Sequence, residues 1–324
     1  MSAKPNTFLY YGRSIRVYIS RTDKSPSSKV IICFHGKKSE PGFQRGNFGE
    51  SFLRSHEIDA IHIQTSVNNW YQSPDLPEAL AAAAHAAAIY KHRVTYGTSM
   101  GGYAALAFSG PLNATGVTAF VPQFSPVIDK APFDNRWKDE RQVIEPVMDD
   151  MAAQISKTAK IYISYDPHQK QDRKHFELIA ATGAKITPLT FPLVDTEVLR
   201  FLSDTHLIER VVLETIDGTA SQKRYRALVR DGRRRSSAYL FYTGQLLIRH
   251  GRLARAWDYF LKAMDLPAGQ FDHYNRMFLQ AKRMAPSADV ADRIAAVVAR
   301  RPENANLIKA FEANRPQLPH MFAA

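Results

Sequence analysis

Apolar and polar positions follow one rhythm over the first two thirds of this chain and another over the last third. Residues 8–19 alternate around Tyr11-Gly12-Arg13, the period-two pattern of a half-buried hairpin. A polar turn over Asp23 to Ser28 leads into Lys29–Phe34, a continuous apolar run of the kind that helices cover on both faces of a parallel sheet. Comparable runs recur at Ile58–Gln64, Gly116–Val121, Lys160–Tyr165 and Lys185–Phe191, and a short β-like run starts at His92 and leads to Ser99. Helical stretches separate them: Leu76–Lys91, with Pro77 in its first turn, then the small-residue segment after Ser99, then Arg173–Thr182 and Leu207–Thr215. Strand and helix alternating from residue 29 to 217 predict an α/β fold with a doubly wound, mostly parallel sheet. From Ala220 onward strand signals vanish and helical periodicity takes over. The expected division is an α/β domain over 1–217 and an all-α, helical-hairpin region over 218–324.

Charge divides at the same place. The 324 residues carry a formal charge of +12. Residues 1–217 hold 24 Lys and Arg against 23 Asp and Glu, whereas residues 218–324 hold 19 against 8. The basic run Arg233-Arg234-Arg235, with Lys223, Arg224, Arg226 and Arg230 upstream, reads either as a solvated helix face or as an attractor for anions such as acidic glycans, lipid headgroups or a protein partner. Nucleic acid ranks last, because no recognised nucleic-acid motif accompanies the charge. The lone cysteine, Cys33, sits inside an apolar run and reads as a small buried hydrophobe. The first residues lack the apolar core of a signal peptide and no run of 18 apolar residues occurs, so the expectation is a cytoplasmic protein without a transmembrane segment.

The chemistry concentrates at Gly97-Thr98-Ser99-Met100-Gly101, between an apolar strand and a helix that starts Gly102-Tyr103-Ala104-Ala105. A turn that lifts a serine hydroxyl above the end of a strand strains the serine backbone and crowds the residues two places to either side, which favours glycine at both. The bland alternative is a tight turn or a phosphate loop without chemistry, though no G-x-x-x-x-G-K-[ST] string is present. Loops after strand ends line the crevice of an open α/β sheet, so Trp70 and Tyr71, following Ile58–Gln64, are candidate substrate contacts or, equally, aromatics capping the sheet edge. The charged segment from Val127 to Lys157 lies where a cap over a pocket would be inserted, with Trp137 facing a substrate, but it reads first as an ordinary surface excursion.

Over roughly residues 8–217 these features resemble the α/β-hydrolase superfamily. The resemblance implies a serine nucleophile at Ser99, an acid after a late strand and a histidine after the last, in the chain order Ser99, Asp166, His206. His206 would take the serine proton and Asp166 would hold the imidazole tautomer and stabilise its cation. The oxyanion donors would be the amides of Met100 and of Lys37, the latter in the loop His35-Gly36-Lys37-Lys38 after the third strand. Asp195 and Asp204 remain rival acids and His168 a rival base, while His35 reads as a loop-former. The cluster Asp166, His168, Asp172, His175 has no recognised ligand spacing, so neither a metal nor another cofactor is expected. The Pro122-Gln123-Phe124-Ser125 strand end is loosely similar to bacterial hydrolases found beside polysaccharide genes, which suggests a glycan-linked ester.

Ser236 to Pro267 resembles one tetratricopeptide unit, with Gly244, Gly251, Ala256, Phe260 and Ala263 at that family's small and aromatic positions. Leu240 and Thr243 depart from its pattern, and Pro267 arrives one residue early. A degenerate second pair is suggested by Pro302 and the apolar face Val290, Ile294, Val297. Two functions therefore compete. One is a serine hydrolase cleaving a carboxylic ester or thioester, or passing the acyl group to a sugar hydroxyl. The other is a silent hydrolase-fold scaffold whose basic tail recruits a partner.

Overall fold

The computed structural model describes residues 6–23, 27–43, 46–267, 269–284 and 288–314. Part of the expected polar turn at 23–28 lies outside them. The chain forms two compact units, Met1–Phe191 with Arg210–Gln222, and Pro192–Glu209 with Lys223–Ala324.

The first unit is built on one eight-stranded sheet. Its strands are β1 (Thr7–Tyr11), β2 (Ile15–Ser20), β3 (Lys29–Phe34), β4 (Asp59–Thr65), β5 (His92–Thr98), β6 (Gly116–Phe120), β7 (Lys160–Tyr165) and β8 (Ile186–Thr190). Their spatial order is β1-β2-β4-β3-β5-β6-β7-β8. The hairpin β1–β2 is antiparallel and β2 joins β4 antiparallel, pairing Ile15 with Thr65 through Ser20 with Ala60. From β4 to β8 every pairing is parallel. The apolar runs occupy the middle of the sheet because helices cover both faces there; every residue of β4 and β6 is buried, and all of β3 but Lys29. This is an α/β fold around a mostly parallel sheet, as the alternating pattern predicts.

The helices of this unit are α1 (Glu50–Ser55), α2 (Leu76–Ala87), α3 (Met100–Ala107), α4 (Lys138–Gln142), α5 (Met151–Gln154) and α6 (Lys170–Ala180). Helix α2 ends four residues short of the expected Lys91, because the chain must turn at Ala87 to Tyr90 to enter β5. Helix α6 begins three residues early, where the Gln169 side chain accepts the Gln171 amide and caps it.

The second unit departs from the expected loop at its start. The stretch carrying Asp195, Asp204 and His206 reads as loop in the sequence, yet it contains a helix, α7 (Val198–Asp204), whose Val198, Phe201 and Leu202 are buried. Helix α8 (Ile208–Ile216) follows it and belongs to the first unit from Arg210 onward. Then come α9 (Gln222–Gly232), α10 (Ser237–Arg249), α11 (Leu253–Met264), α12 (Phe271–Met284), α13 (Ala288–Arg300) and α14 (Ala305–Asn314). Helices α10 and α11 pack as a hairpin in which the Phe260 ring lies where a Gly244 side chain would be, and stacks on Phe241 at 6.0 Å. Val290, Ile294 and Val297 are buried. Among the described residues no helix is long and apolar enough to cross a membrane.

Candidate active site

Ser99 stands between β5 and α3 with φ 52° and ψ −120°, a backbone conformation that a non-glycine residue adopts at a cost of about 1–3 kcal/mol. The surroundings hold it there. The Ser99 amide donates to the Phe120 carbonyl at 2.9 Å and its carbonyl accepts the first helical bond, from Tyr103 at 3.0 Å. A Cβ on Gly97 would lie 2.1 Å from the Gly101 carbonyl oxygen, and one on Gly101 would lie 2.3 Å from that of Phe34. The turn therefore closes on itself and presses against the end of β3, and glycine is needed at both flanks.

That contact brings the His35–Lys38 loop against the first turn of α3. The loop is firmly tied. The Thr65 amide donates to His35 Nε2 at 3.1 Å, so the ring proton sits on Nδ1 and donates to the Gly36 carbonyl at 2.7 Å. Burial lowers the His35 pKa to about 4, which keeps the ring neutral and unsuited to act as a base. The Lys38 amide and carbonyl exchange hydrogen bonds of 2.8 Å with the Asn68 side chain, and Lys38 Nζ donates to the Thr65 carbonyl at 2.6 Å. Lys37 is exposed and its ammonium pairs with Glu140. Among the described residues neither the Lys37 nor the Met100 amide donates a hydrogen bond. Met100 opens α3, where the first amides have no intrahelical acceptor.

Asp166 follows β7 directly and is 2% exposed. Its carboxylate accepts the His168 amide at 2.9 Å, and its carbonyl accepts Gln169 at 3.1 Å, which turns the chain into α6. Lys37, Ser99 and Asp166 thus all lie at the carboxyl edge of the parallel strands. One strand, β6, separates the Ser99 and Asp166 strands, a lateral offset of about 10 Å.

Trp70 and Tyr71 present no face to solvent in this structure, being 1% and 0% exposed. Trp70 Nε1 donates to Gln123 at 3.0 Å, and the Tyr71 hydroxyl donates to the His35 carbonyl at 3.0 Å. Both have positive φ, 52° and 63°. Their place is between the loops around the site, as fasteners rather than open platforms. The half-buried Trp137 packs its ring 5.8 Å from that of Trp70.

The segment from 127 to 157 is tied to its surroundings by polar groups, of which the sequence singled out only Asp172 and His175. Gln72 accepts the Val147 and Met148 amides at 2.9 and 2.8 Å and donates to the Tyr103 hydroxyl of α3 at 3.1 Å. Asp149 accepts from Tyr103 at 2.7 Å and from Ser125 at 2.6 Å. His175 accepts the Phe124 amide on Nδ1 at 3.0 Å and donates from Nε2 to Asp134 at 2.7 Å, while Arg136 bridges Asp134 and Asp172 at 2.8 Å each. Burial lowers the His175 pKa, and the His175 and Arg136 hydrogen bonds hold the Asp134 carboxyl well below the carboxylate range. Asp172 and His175 are thus engaged with this segment, whereas His168 stands exposed.

In the second unit, His206 is exposed and has φ 58°. Its amide bonds to Ser203 O at 3.0 Å and that of Leu207 to Leu202 O at 2.8 Å. These two bonds form a Schellman cap on α7, in which His206 occupies the left-handed position that glycine usually fills. Asp204 pairs with Arg200 at 3.0 Å, and burial raises its pKa. Asp195 is half-buried and accepts the Thr196 amide at 2.8 Å. A groove of about 620 Å³ lined by Arg93, Asn113, Gln154 and Lys157 opens at the amino ends of β5 and β7, the opposite edge from Ser99.

No protein-family model and no curated protein matches the chain. Distant likenesses exist among solved structures. The capsule O-acetyltransferase of Neisseria meningitidis serogroup A is 13% identical over 56% of this chain and 85% of its own, at a TM-score of 0.42. Acetyl xylan esterase 1 from a Thermoanaerobacterium species is 13% identical over 64% and 80%, at 0.45. A glycosylation associate protein complex from Streptococcus agalactiae is 14% identical over 64% and 46%, at 0.48. Likenesses this distant assign no activity to the chain.

Proposed function

We propose that this protein is a serine-dependent acyl hydrolase acting on a carboxylic ester or thioester. The observation that carries the reading is the Ser99 turn: a strained serine at the carboxyl edge of the sheet, locked by two glycines that admit no side chain, beside amides with no acceptor. Such strain persists only where the surrounding structure imposes it, and it concentrates at functional sites.

In this reading Ser99 Oγ attacks the acyl carbon as its proton passes to His206, the base assigned by chain order, with Asp166 as the orienting acid. The oxygen that becomes negative is received by the Met100 and Lys37 amides. Collapse of the tetrahedral intermediate breaks the bond to the alcohol or thiol, which leaves with the proton from His206. Water then adds to the acyl-enzyme by the same route and releases the acid, while a sugar hydroxyl in its place would make the enzyme a transferase. Trp70 and Tyr71 act here through the loops they fasten. The exposed Lys223, Arg226, Arg230, Arg234 and Arg235 would draw an anionic substrate such as an acidic glycan, or a partner of that charge.

A fluorophosphonate probe with mass spectrometry of the adduct tests the proposal. Labelling of Ser99, lost in Ser99→Ala and in His206→Ala, is the expected result. Since no side-chain hydrogen bond of Ser99 occurs among the described residues, Ser99→Ala should keep its unfolding free energy within about 0.5 kcal/mol of wild type. Ester hydrolysis at the wild-type rate by folded Ser99→Ala would refute the reading.

A further inference from the structure

The helices after residue 222 enter the reading above only through their basic face, which by itself suggests a separate binding module. Their contacts with α7 point elsewhere. A helix of seven residues does not persist by itself, so the residue it delivers, His206, is only as well placed as the groups that grip it.

Both ends of α7 are gripped from the helical region. At its start, the Glu197 carboxylate collects three donors: His273 Nε2 at 2.6 Å and the Tyr242 hydroxyl at 3.3 Å on one oxygen, and Gln270 at 2.5 Å on the other. These come from α10 and from the first turn of α12 and the residue before it. His273 is 2% exposed and stacks on Phe241 at 4.6 Å with an interplanar angle of 15°. The imidazole is thereby fixed by packing as well as by the carboxylate. At its far end, Asp204 faces the hydroxyl of Ser236, the N-cap of α10, and Thr205 packs against Gly232, the last residue of α9. His206 follows immediately in its left-handed cap.

We infer that the helical region is the mount of the general base, with Glu197 and His273 as positioning residues that hold α7 and hence His206. The inference rests on the reading of His206 as the base. It makes the C-terminal region part of the enzyme, because a displacement of about 1 Å in a catalytic group is enough to cost orders of magnitude in rate.

The test uses the full chain and two readouts, amide hydrogen exchange over residues 198–206 and the rate of fluorophosphonate adduct formation at Ser99. Glu197→Ala should lower protection of 198–206 and slow labelling about tenfold or more. Glu197→Gln, which keeps the shape and one acceptor oxygen for His273 and Tyr242, should restore most of the rate. Asp258→Ala, in the exposed Arg293–Asp258 pair of the same helical region, should change neither. Protection across α13 and α14 reports that the region remains folded. If Glu197→Ala loses it, Tyr242→Phe, which removes a single donor, carries the comparison. Wild-type labelling in a folded Glu197→Ala protein overturns the inference, and so does lost protection at 198–206 without slower labelling. If the wild-type chain itself is never labelled, the functional reading fails first and this inference falls with it.

Discussion

Of the non-glycine residues with positive φ, two belong to the proposed chemistry. Ser99 sits at φ 52° between glycines, and His206 sits at φ 58° in a cap where glycine is the low-energy choice. The second case offers a test at the scale of one residue. His206→Gly relieves the left-handed strain and should raise stability by about 0.5–1 kcal/mol in urea unfolding, while abolishing labelling of Ser99. A stabilised variant that still labels would remove His206 from the mechanism. The glycines around Ser99 are legible as a string, since the clash that demands them is local. The strain at His206 is not legible, because a histidine in a left-handed cap leaves no mark in the sequence around it.

At the scale of elements, the strands were readable to within a residue or two, because a sheet buried on both faces requires unbroken apolar runs. The segment from 127 to 157 was readable only as an insertion. Its order depends on single polar groups far away in the chain, of which His175 on α6 is the clearest. His175→Ala would leave the Phe124 amide without its acceptor and Asp134 without one of its donors. We expect a loss of about 2–4 kcal/mol in urea unfolding and faster amide exchange across 124–149. Unchanged exchange there would mean that the buried His175–Asp134–Arg136 cluster does not hold the segment. Helix α7 did leave a trace in the sequence, Val198, Phe201 and Leu202 at helical spacing, but one turn of apolar residues is too short to separate from loop.

Across the whole molecule, acidification should be destabilising well above the carboxylate range. Burial lowers the pKa of His35 and of His62 to about 4 each and also lowers that of His175, whereas the unfolded chain takes up these protons near pH 6.5. Between those values the unfolded state binds more protons than the folded one. The stability is therefore fully present above about pH 6.5 and is lost progressively as pH falls through 4, on the order of 3 kcal/mol for each of His35 and His62. Thermal unfolding followed from pH 7.5 to 4.5 should show Tm level down to about pH 6.5 and falling below it, above the pH at which carboxylates titrate. A flat Tm down to pH 5 would show that these imidazoles are not kept neutral.

What the sequence determined by itself was whatever short-range physics enforces: the parallel strands, the glycine-flanked serine, the helical nature of the last third and its concentration of positive charge. What only the tertiary structure decided was which distant groups meet. Trp70 and Tyr71 became buried fasteners, His35 a neutral loop-holder and Asp134 the partner of His175, since each depends on hydrogen bonds to residues 30 to 53 positions away or on burial that no local pattern encodes. The grouping of α7 with the C-terminal helices belongs to the same class. Charge and periodicity divide the chain near residue 217, but Glu197 finds its donors at 242, 270 and 273, and a carboxylate gives no sign in the sequence of where its donors will be.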